Sequence, residues 1–294
     1  MIKNYYKIPR AFDIFGNIAL VKFDKKTSVK DKKHFANNIL RNNKAIKTVL
    51  EKIGKFKGRL RKQETRWIAG EKTKEALYRE NGCVFRFNID STYFSPRLSN
   101  ERKEIADAIR KGEEVLVMFA GVGAYSIVIA KNSKAKMVYS NEINKEANKY
   151  GRLNIELNKV KGKIVFLDGD IKRIAKKIVK THPSTQKKVV NVENTRSLKF
   201  NNGSIKDIPS KFDVIVMPRP QLKDSFLKQA FMLSKKGTRI YYYDFCKQDE
   251  INQIVEKIKK EAVKVKKKIK ILNVKKAGEI APYKYRIRVD FKVL

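Results

Sequence analysis

The stretch that decides the fold is residues 115–127, which read VLVMFAGVGAYSI. An apolar run leads into a turn with Gly121 and Gly123 and then into a helix-like run, which predicts a strand, a tight turn and a helix. In a doubly wound sheet, a nucleotide-like cofactor approaches the backbone at such a turn. Glu142 ends the next apolar run, about 20 residues further on, where a carboxylate can accept hydrogen bonds from a ribose diol. These residues predict an adenosine-type cofactor and leave its identity open.

Strand-like and helix-like runs alternate from about residue 99 onward. This spacing is typical of parallel βαβ units and predicts an α/β fold. Residues 181–211 are polar and are predicted to be an insertion, with a hairpin at 189–200. The runs 268–276 and 284–293 predict a final antiparallel pair. The other predicted strands are 115–119, 136–140, 163–167, 212–217 and 238–243, and the predicted helices are 99–111, 122–131, 144–157, 171–180, 222–234 and 247–260.

The first 90 residues have a different pattern and predict a small α+β unit. Residues 12–23 look like strands around a tight turn, residues 28–54 have helical apolar spacing, and residues 56–68 predict another strand. Asn81-Gly82 separates two alternating runs within residues 76–90, which predicts a hairpin. The predicted domains are therefore residues 1–92 and residues 93–294, the second with the 181–211 insertion.

The composition points to an anionic partner. Lys and Arg number 69 against 30 Asp and Glu, which gives a formal net charge of +39. Nucleic acid is the expected partner, because each neutralised phosphate releases a counterion, although a solvated surface also explains many lysines. The spacings of Cys83, Cys246 and the two histidines fit neither a disulfide framework nor a metal site. No membrane span or targeting segment is evident, so we expect a cytoplasmic protein. We also expect it to act as a monomer.

The residues favour S-adenosylmethionine over a nicotinamide nucleotide. Ser126 stands where the dinucleotide fingerprint has its third glycine, and a lone GxG is weak evidence for NAD. Three sites follow successive parallel strands: the glycine turn for the methionine moiety, Glu142 for the ribose and Asp170 for the adenine amino group. Asp170 is equally well placed to cap a helix, and the two roles are compatible.

Five motifs, in order, resemble one family. Residues 90–102, DSTYFSPRLSNER, are similar to its signature YFSPRL..ER, and residues 119–123, FAGVG, match its glycine turn. The other three are NEIN at 141–144 with NIELN at 154–158, GTRIYYY at 237–243 and an alanine–proline pair at 281–282. The chain resembles the archaeal and eukaryotic tRNA guanine-37 N1-methyltransferases and their relatives in wyosine biosynthesis, from about residue 12 to its end.

The resemblance implies a Rossmann-like class I methyltransferase domain preceded by a small RNA-contacting α+β domain. It implies methyl transfer from S-adenosylmethionine to N1 of the guanine 3′ of the anticodon, with tRNA as partner. The implied catalytic residues are Glu101, Arg97, Tyr93 and, on a looser alignment, Arg61. The implied cofactor-binding residues are Phe119, Gly121, Gly123, Glu142, Ile143, Asp170, Met217 and Pro218.

Methyl transfer to guanine N1 requires residue types that this motif contains. Guanine N1 carries a proton that a carboxylate such as Glu101 can accept as the methyl group arrives, while Arg97 or Arg61 stabilises the negative charge that develops on O6. Tyr93 and Phe94 can stack on an extruded base. The alternative is that Glu101 forms surface ion pairs with arginines of its own helix.

Three departures from the family pattern affect the interpretation. Many members carry an extra RNA-binding domain ahead of the segment where this sequence begins, and we expect the high charge to compensate. The loop that usually reads asparagine-x-proline is MPRP at 217–220, so the asparagine that would hold the guanine is missing and Arg219 or backbone carbonyls are candidates to replace it. Val117 replaces an acidic residue near the cofactor. These losses keep the wyosine activities, carbon-7 methylation and aminocarboxypropyl transfer, open as alternatives, together with a non-catalytic RNA-binding protein.

Overall fold

The computed structural model describes residues 11–182, 207–218 and 224–294. The hairpin predicted at 189–200, most of the predicted insertion and Arg219 lie outside these residues. No helix in the described ranges is long and apolar enough to cross a membrane.

The N-terminal part is a four-stranded sheet with one helix, in the order β1-β2-β3-β4. Its elements are β1 (Asp13–Phe15), β2 (Ile18–Val21), α1 (Val29–Asn42), β3 (Thr48–Lys57) and β4 (Lys62–Gly70). β2 and β3 are parallel because α1 crosses over between them, whereas the other two pairs are antiparallel. Helix α1 begins where the Ser28 side chain accepts a hydrogen bond from the Asp31 backbone N–H.

The prediction of a helix over 28–54 is wrong for its second half, where β3 lies. Val49 packs against α1, whereas Leu50 packs against the aromatic core on the other side of the sheet. Both faces of β3 are therefore buried, and its apolar residues do not alternate with polar ones. Apolar period alone does not separate such a strand from a buried helix.

A hairpin of β5 (Glu75–Glu80) and β6 (Cys83–Asn88) follows, as Asn81-Gly82 predicted. Two asparagines of a later helix, Asn154 and Asn158, cover its outer edge. The Asn154 carboxamide accepts a hydrogen bond from Arg86 N–H at 2.7 Å and donates one to Arg86 C=O at 3.1 Å. Asn158 does the same with Val84, at 2.8 and 2.6 Å. The NIELN motif thus joins the hairpin to the second domain.

The second domain contains a seven-stranded sheet in the order β12-β13-β11-β10-β7-β8-β9. β7 to β11 are parallel, and β13 is antiparallel to both β11 and β12. The strand order reverses between β7 and β10, which is where open α/β sheets bind ligands. The strands are β7 (Glu114–Met118), β8 (Met137–Glu142), β9 (Ile164–Asp168), β10 (Phe212–Met217), β11 (Ser234–Lys247), β12 (Ile269–Ala281) and β13 (Lys284–Val293).

Helices cover both faces of this sheet. They are α2 (Ser99–Asp107), α3 (Ala124–Asn132), α4 (Lys145–Leu157), α5 (Ile171–Thr181), α6 (Leu227–Met232) and α7 (Ile251–Lys264). The α/β class and the final antiparallel pair are confirmed. Helix α6 is shorter and β11 longer than predicted. The domain limits at residue 92 stay a prediction, since the β5–β6 hairpin packs on α3 and α4 of the second domain.

Candidate active site

A cleft lies above the carboxyl ends of β7, β8 and β10, at the reversal point of the sheet. It encloses about 760 Å³ of space, part of which is open to solvent. The β3–β4 turn and the glycine turn line part of it, together with Tyr93, Phe94, Ser95 and Leu98. Glu142, Pro218, Phe245 and Arg286 complete the wall. Residues of both predicted domains therefore contribute to one site.

The glycine turn has a backbone that side chains disfavour. Gly121 has φ +58° and Gly123, the residue before α3, has φ +85°. A Cβ on Gly121 would lie 3.3 Å from the Tyr93 carbonyl oxygen, so glycine is needed both for conformation and for close approach. Gly121 lines the cleft, whereas Gly123 stands behind it and starts the helix.

Glu142 holds this turn against the end of β8. Its Oε2 accepts a hydrogen bond from Gly121 N–H, and its Oε1 accepts from the N–H groups of Ile143 and Asn144, all at 2.8 Å. An ionised carboxylate offers about four acceptor positions, so Glu142, which lines the cleft, retains capacity to accept a further hydrogen bond. Glu142 is therefore able to position the turn and to bind a diol at the same time.

A smaller cavity adjoins the cleft on the β9 side. Ile143, Asp170 and Phe226 line it, and Phe119 lies between the two cavities with its ring 5.1 Å from that of Phe226. Asp170 caps α5 by accepting from Lys172 N–H at 2.9 Å, and it also accepts from Arg59 Nη2 at 3.0 Å. Burial alone would raise the pKa of Asp170, but these bonds lower it below its ordinary value. The predicted helix-cap role is confirmed.

Arg61 and Tyr93 meet across the domain boundary. The Arg61 guanidinium lies 4.3 Å from the centre of the Tyr93 ring, and both residues line the cleft. Arg61 itself has φ +52°, an uncommon conformation for a long side chain, at the β3–β4 turn. The two residues thus form a flat cationic and aromatic surface at the mouth of the cleft.

Glu101 does not line the cleft in the part of the chain that the structure describes. It is 5% exposed, and it reaches the cleft only through two tyrosines, called here the tyrosine relay. Tyr125, which lines the cleft, donates its hydroxyl to the Tyr243 hydroxyl at 3.3 Å, and Tyr243 donates to Glu101 Oε2 at 2.9 Å. Burial raises the pKa of Tyr125 to about 12 and holds the pKa of Tyr243 well above its ordinary value, so both hydroxyls stay protonated.

Glu101 also belongs to a carboxylate cluster in which Glu101 and Asp290 are buried and Glu104 is partly exposed. Arg288 contacts Glu101 at 2.8 Å, Glu104 at 2.7 Å and Asp290 through two bonds at 2.8 and 3.0 Å. Lys275 lies 2.8 Å from Glu101 and also contacts Glu104. These partners come from β12 and β13, not from the helix of Glu101 as the alternative interpretation required.

The remaining predicted residues lie apart from the cleft or behind its wall. Arg97 is exposed and pairs with Asp13 at 2.8 Å. Met217 is 1% exposed and lies in the core beneath the cleft, whereas Pro218 lines the cleft. The structure therefore brings together Arg61, Tyr93, Phe119, Gly121, Glu142 and Pro218, and it does not bring Arg97 or Met217 to the same surface.

Sequence reasoning missed several cleft residues. Arg102 is buried in an ion pair with Glu80, and its guanidinium lies 4.9 Å from the Phe94 ring. Phe245 and Arg286 line the far side of the cleft. One sequence signal for Arg286 was available: charged and apolar residues alternate along 286–291. On a strand that is buried on both faces, this alternation places the charged side chains inside the protein.

Comparison with known proteins identifies the family. The model of the TRM5/TYW2 methyltransferase domain matches residues 76–206, and that of the TYW2 N-terminal domain matches residues 3–73. The Nanoarchaeum equitans protein named tRNA (guanine(37)-N(1))/4-demethylwyosine(37)-methyltransferase Taw22 is 34% identical over 304 residues, covering 97% of this chain and 100% of that protein. This chain belongs to the TRM5/TYW2 methyltransferase family.

Solved structures agree with this assignment. The crystal structure of Trm5b from Pyrococcus abyssi is similar at a TM-score of 0.77 and 32% identity, covering 97% of this chain and 75% of that one. A complex of aTrm5 with tRNALeu is similar at a TM-score of 0.76 and 25% identity, covering 98% and 73%. The predicted family and the predicted class I methyltransferase fold are confirmed.

Proposed function

We propose that this TRM5/TYW2 family protein is an S-adenosylmethionine-dependent tRNA methyltransferase that modifies N1 of guanine 37. The observation that carries the proposal is the cleft itself. It joins a glycine turn held by Glu142, on the β7–β8 side, to the Arg61–Tyr93 surface. Relatives that match nearly the whole chain are named as enzymes of this reaction.

The residues present fit the cofactor. Gly121 leaves room that a Cβ would fill, Glu142 keeps an acceptor for a ribose diol, and Phe119 offers an apolar face between the two cavities. Ile143 and Asp170 line the smaller cavity, where an adenine amino group would find an acceptor. When bound, S-adenosylmethionine supplies an electrophilic methyl group.

The same geometry suggests how the chain handles the target base. Arg61 and Tyr93 would stack on an extruded guanine, as cationic and aromatic groups do on unpaired bases. Glu101 would accept the N1 proton through the tyrosine relay. Tyr125 would take the proton from N1 while its own hydroxyl proton passes to Tyr243, and the Tyr243 proton passes to Glu101. Glu101 therefore needs no direct contact with the base. A catalytic role for Arg97 stays a prediction.

The RNA partner follows from charge and family. A formal net charge of +39 favours a phosphate backbone, and a family member has been solved with tRNALeu. We propose that the anticodon stem-loop is the part that enters the cleft and that the enzyme acts as a monomer.

A second activity has its own support. The N-terminal match is to the TYW2 domain, and the Nanoarchaeum equitans relative carries both a guanine and a 4-demethylwyosine activity in its name. The loop that begins Met217-Pro218 also lacks the family's asparagine. Methylation of 4-demethylwyosine at the same tRNA position is therefore the second candidate function.

Mass spectrometry of tRNA nucleosides after reaction tests both. The protein is incubated with methyl-labelled S-adenosylmethionine and with tRNA carrying either guanine or 4-demethylwyosine at position 37. We expect 1-methylguanine from the first, and a methylated tricyclic base from the second if the protein is bifunctional. A parallel reaction with label in the aminocarboxypropyl group reveals that transfer, which would contradict methylation. Absence of all label from tRNA that binds normally would mean a non-catalytic RNA-binding protein.

A further inference from the structure

Arg286 is a buried arginine whose guanidinium has no hydrogen-bond acceptor among the residues that the structure describes. It is 6% exposed, and its Nε atom is fully buried without a partner. Its guanidinium packs against the Phe245 ring, whose centre lies 5.2 Å from the guanidinium carbon. Buried charges in proteins are normally paired, so this side chain calls for an oxygen from outside the described chain.

The contrast with Arg288 shows that the lack of a partner is specific to this position. Arg286, Arg288 and Asp290 alternate along β13 and face the same side of the sheet. Arg288 is held by Glu101 and Asp290 within the carboxylate cluster, at 2.8 Å to each. Two residues nearer the cleft, Arg286 carries the same charge, and no carboxylate within the described ranges pairs with it.

Arg286 lies on the side of the cleft away from the cofactor residues. The glycine turn and Glu142 follow β7 and β8, whereas β13 lies beyond β10 and β11. Strands are about 4.8 Å apart, so β13 is roughly 14 Å across the sheet from β7. Arg286 shares this side with Pro218, at the start of the loop that in the family carries the guanine-holding asparagine.

We propose that Arg286 binds the O6 oxygen of the target base and so replaces the missing asparagine as a specificity-determining residue. The inference rests on the proposed function. As the bond between sulfur and the methyl carbon breaks, the N1 electron pair forms the new bond and the N1 proton leaves toward Glu101. Negative charge develops on O6 while the proton departs, and a fixed guanidinium stabilises it. The product base is again neutral.

The test compares Arg286→Met with Arg288→Met and with Arg110→Gln, an exposed site four residues before the start of β7. Single-turnover methyl transfer to guanine-37 tRNA, thermal unfolding, and calorimetric binding of S-adenosylhomocysteine and methylthioadenosine are measured for each. We expect Arg286→Met to slow transfer about 100-fold, as loss of one oxyanion donor does. Because the variant removes an unpaired buried charge, its melting temperature should equal or exceed that of the unaltered protein, whereas Arg288→Met should melt earlier.

Three results would overturn the proposal. A melting temperature lowered as much by Arg286→Met as by Arg288→Met would assign Arg286 a structural role. Weaker binding of S-adenosylhomocysteine with unchanged binding of methylthioadenosine, which lacks a carboxylate, would place Arg286 on the cofactor. Transfer equal to that of Arg110→Gln would remove it from the reaction. Failure of the unaltered protein to methylate guanine 37 would instead refute the proposed function, while the unfolding and binding results would still stand.

Discussion

Replacing Tyr243 by Phe isolates the proposed path of the N1 proton. The change removes one hydroxyl, which accepts from Tyr125 and donates to Glu101, and leaves the ion pair between Glu101 and Arg288 intact. Tyr241→Phe is a matched control: Tyr241 lies two residues earlier on the same face of β11, and its hydroxyl accepts from Arg239 at 3.2 Å.

The two variants should be similar in stability and differ in rate. A net hydrogen bond contributes about 1 kcal/mol, and an unsatisfied buried hydroxyl costs about 1–3 kcal/mol, so each variant should melt only several degrees lower. Proton transfer to a positioned base contributes about 10²–10⁴-fold, so Tyr243→Phe should slow single-turnover methyl transfer by about 100-fold or more. Tyr241→Phe should retain the unaltered rate within about threefold.

The assay is single-turnover transfer at saturating cofactor with guanine-37 tRNA, with thermal unfolding alongside. Tyr125→Phe should have the same transfer rate as Tyr243→Phe. The double variant should be no slower than either single variant, because removing one group of a proton path already interrupts the whole path. A Tyr243→Phe rate equal to that of Tyr241→Phe would refute the tyrosine relay. Glu101→Ala is a poorer probe, since removing one partner of a buried ion pair costs about 3–5 kcal/mol and confounds rate with folding.

Two further predictions concern binding. Asp170→Ala should lose about 1 kcal/mol of stability, because it removes the helix cap, and should also weaken cofactor binding. Asp170→Ser should keep the cap and weaken only cofactor binding. Thermal unfolding measures the first effect and calorimetry the second, and unchanged cofactor affinity in both variants would refute the adenine role. Affinity for tRNA should fall by at least about tenfold between roughly 50 and 200 mM salt, measured by filter binding, because a backbone-dominated interface releases counterions; a change below about threefold would contradict it.

The sheet was predictable because its signals are local. Most parallel strands of the second domain are short apolar runs followed by a helix, and Asn144 and Asp170 cap two of these helices. β3 was not predictable in this way, since burial on both faces removes the alternation that marks a strand. The glycine turn was also predictable, because positive φ angles favour glycine and the two glycines are visible in the sequence.

The cleft beyond the cofactor residues could not be predicted, because its contacts join distant parts of the chain. Glu101 and Arg288 are separated by 187 positions, and nothing near either residue indicates the other. The asparagines at 154 and 158 show the reverse case. Their motif was recognisable in the sequence, but in the structure these asparagines form hydrogen bonds with the edge of β6. Their role is therefore to hold the hairpin in place and not to take part in the chemistry.

The row of charges on β13 links the two halves of the proposed reaction. Arg288 neutralises Glu101 while that carboxylate is ionised, and Arg286 awaits an oxygen in the cleft. When the N1 proton moves along the tyrosine relay, negative charge leaves Glu101 and appears on the base near Arg286. The two arginines stand two residues apart on one rigid strand, so the protein would carry a cation at both ends of this charge movement without rearranging. The double variant Arg286→Met, Phe245→Glu should therefore abolish single-turnover methyl transfer while calorimetric binding of S-adenosylhomocysteine persists, because the developing charge on the base would lose its cation and face a carboxyl group. Transfer at the unaltered rate would contradict this argument.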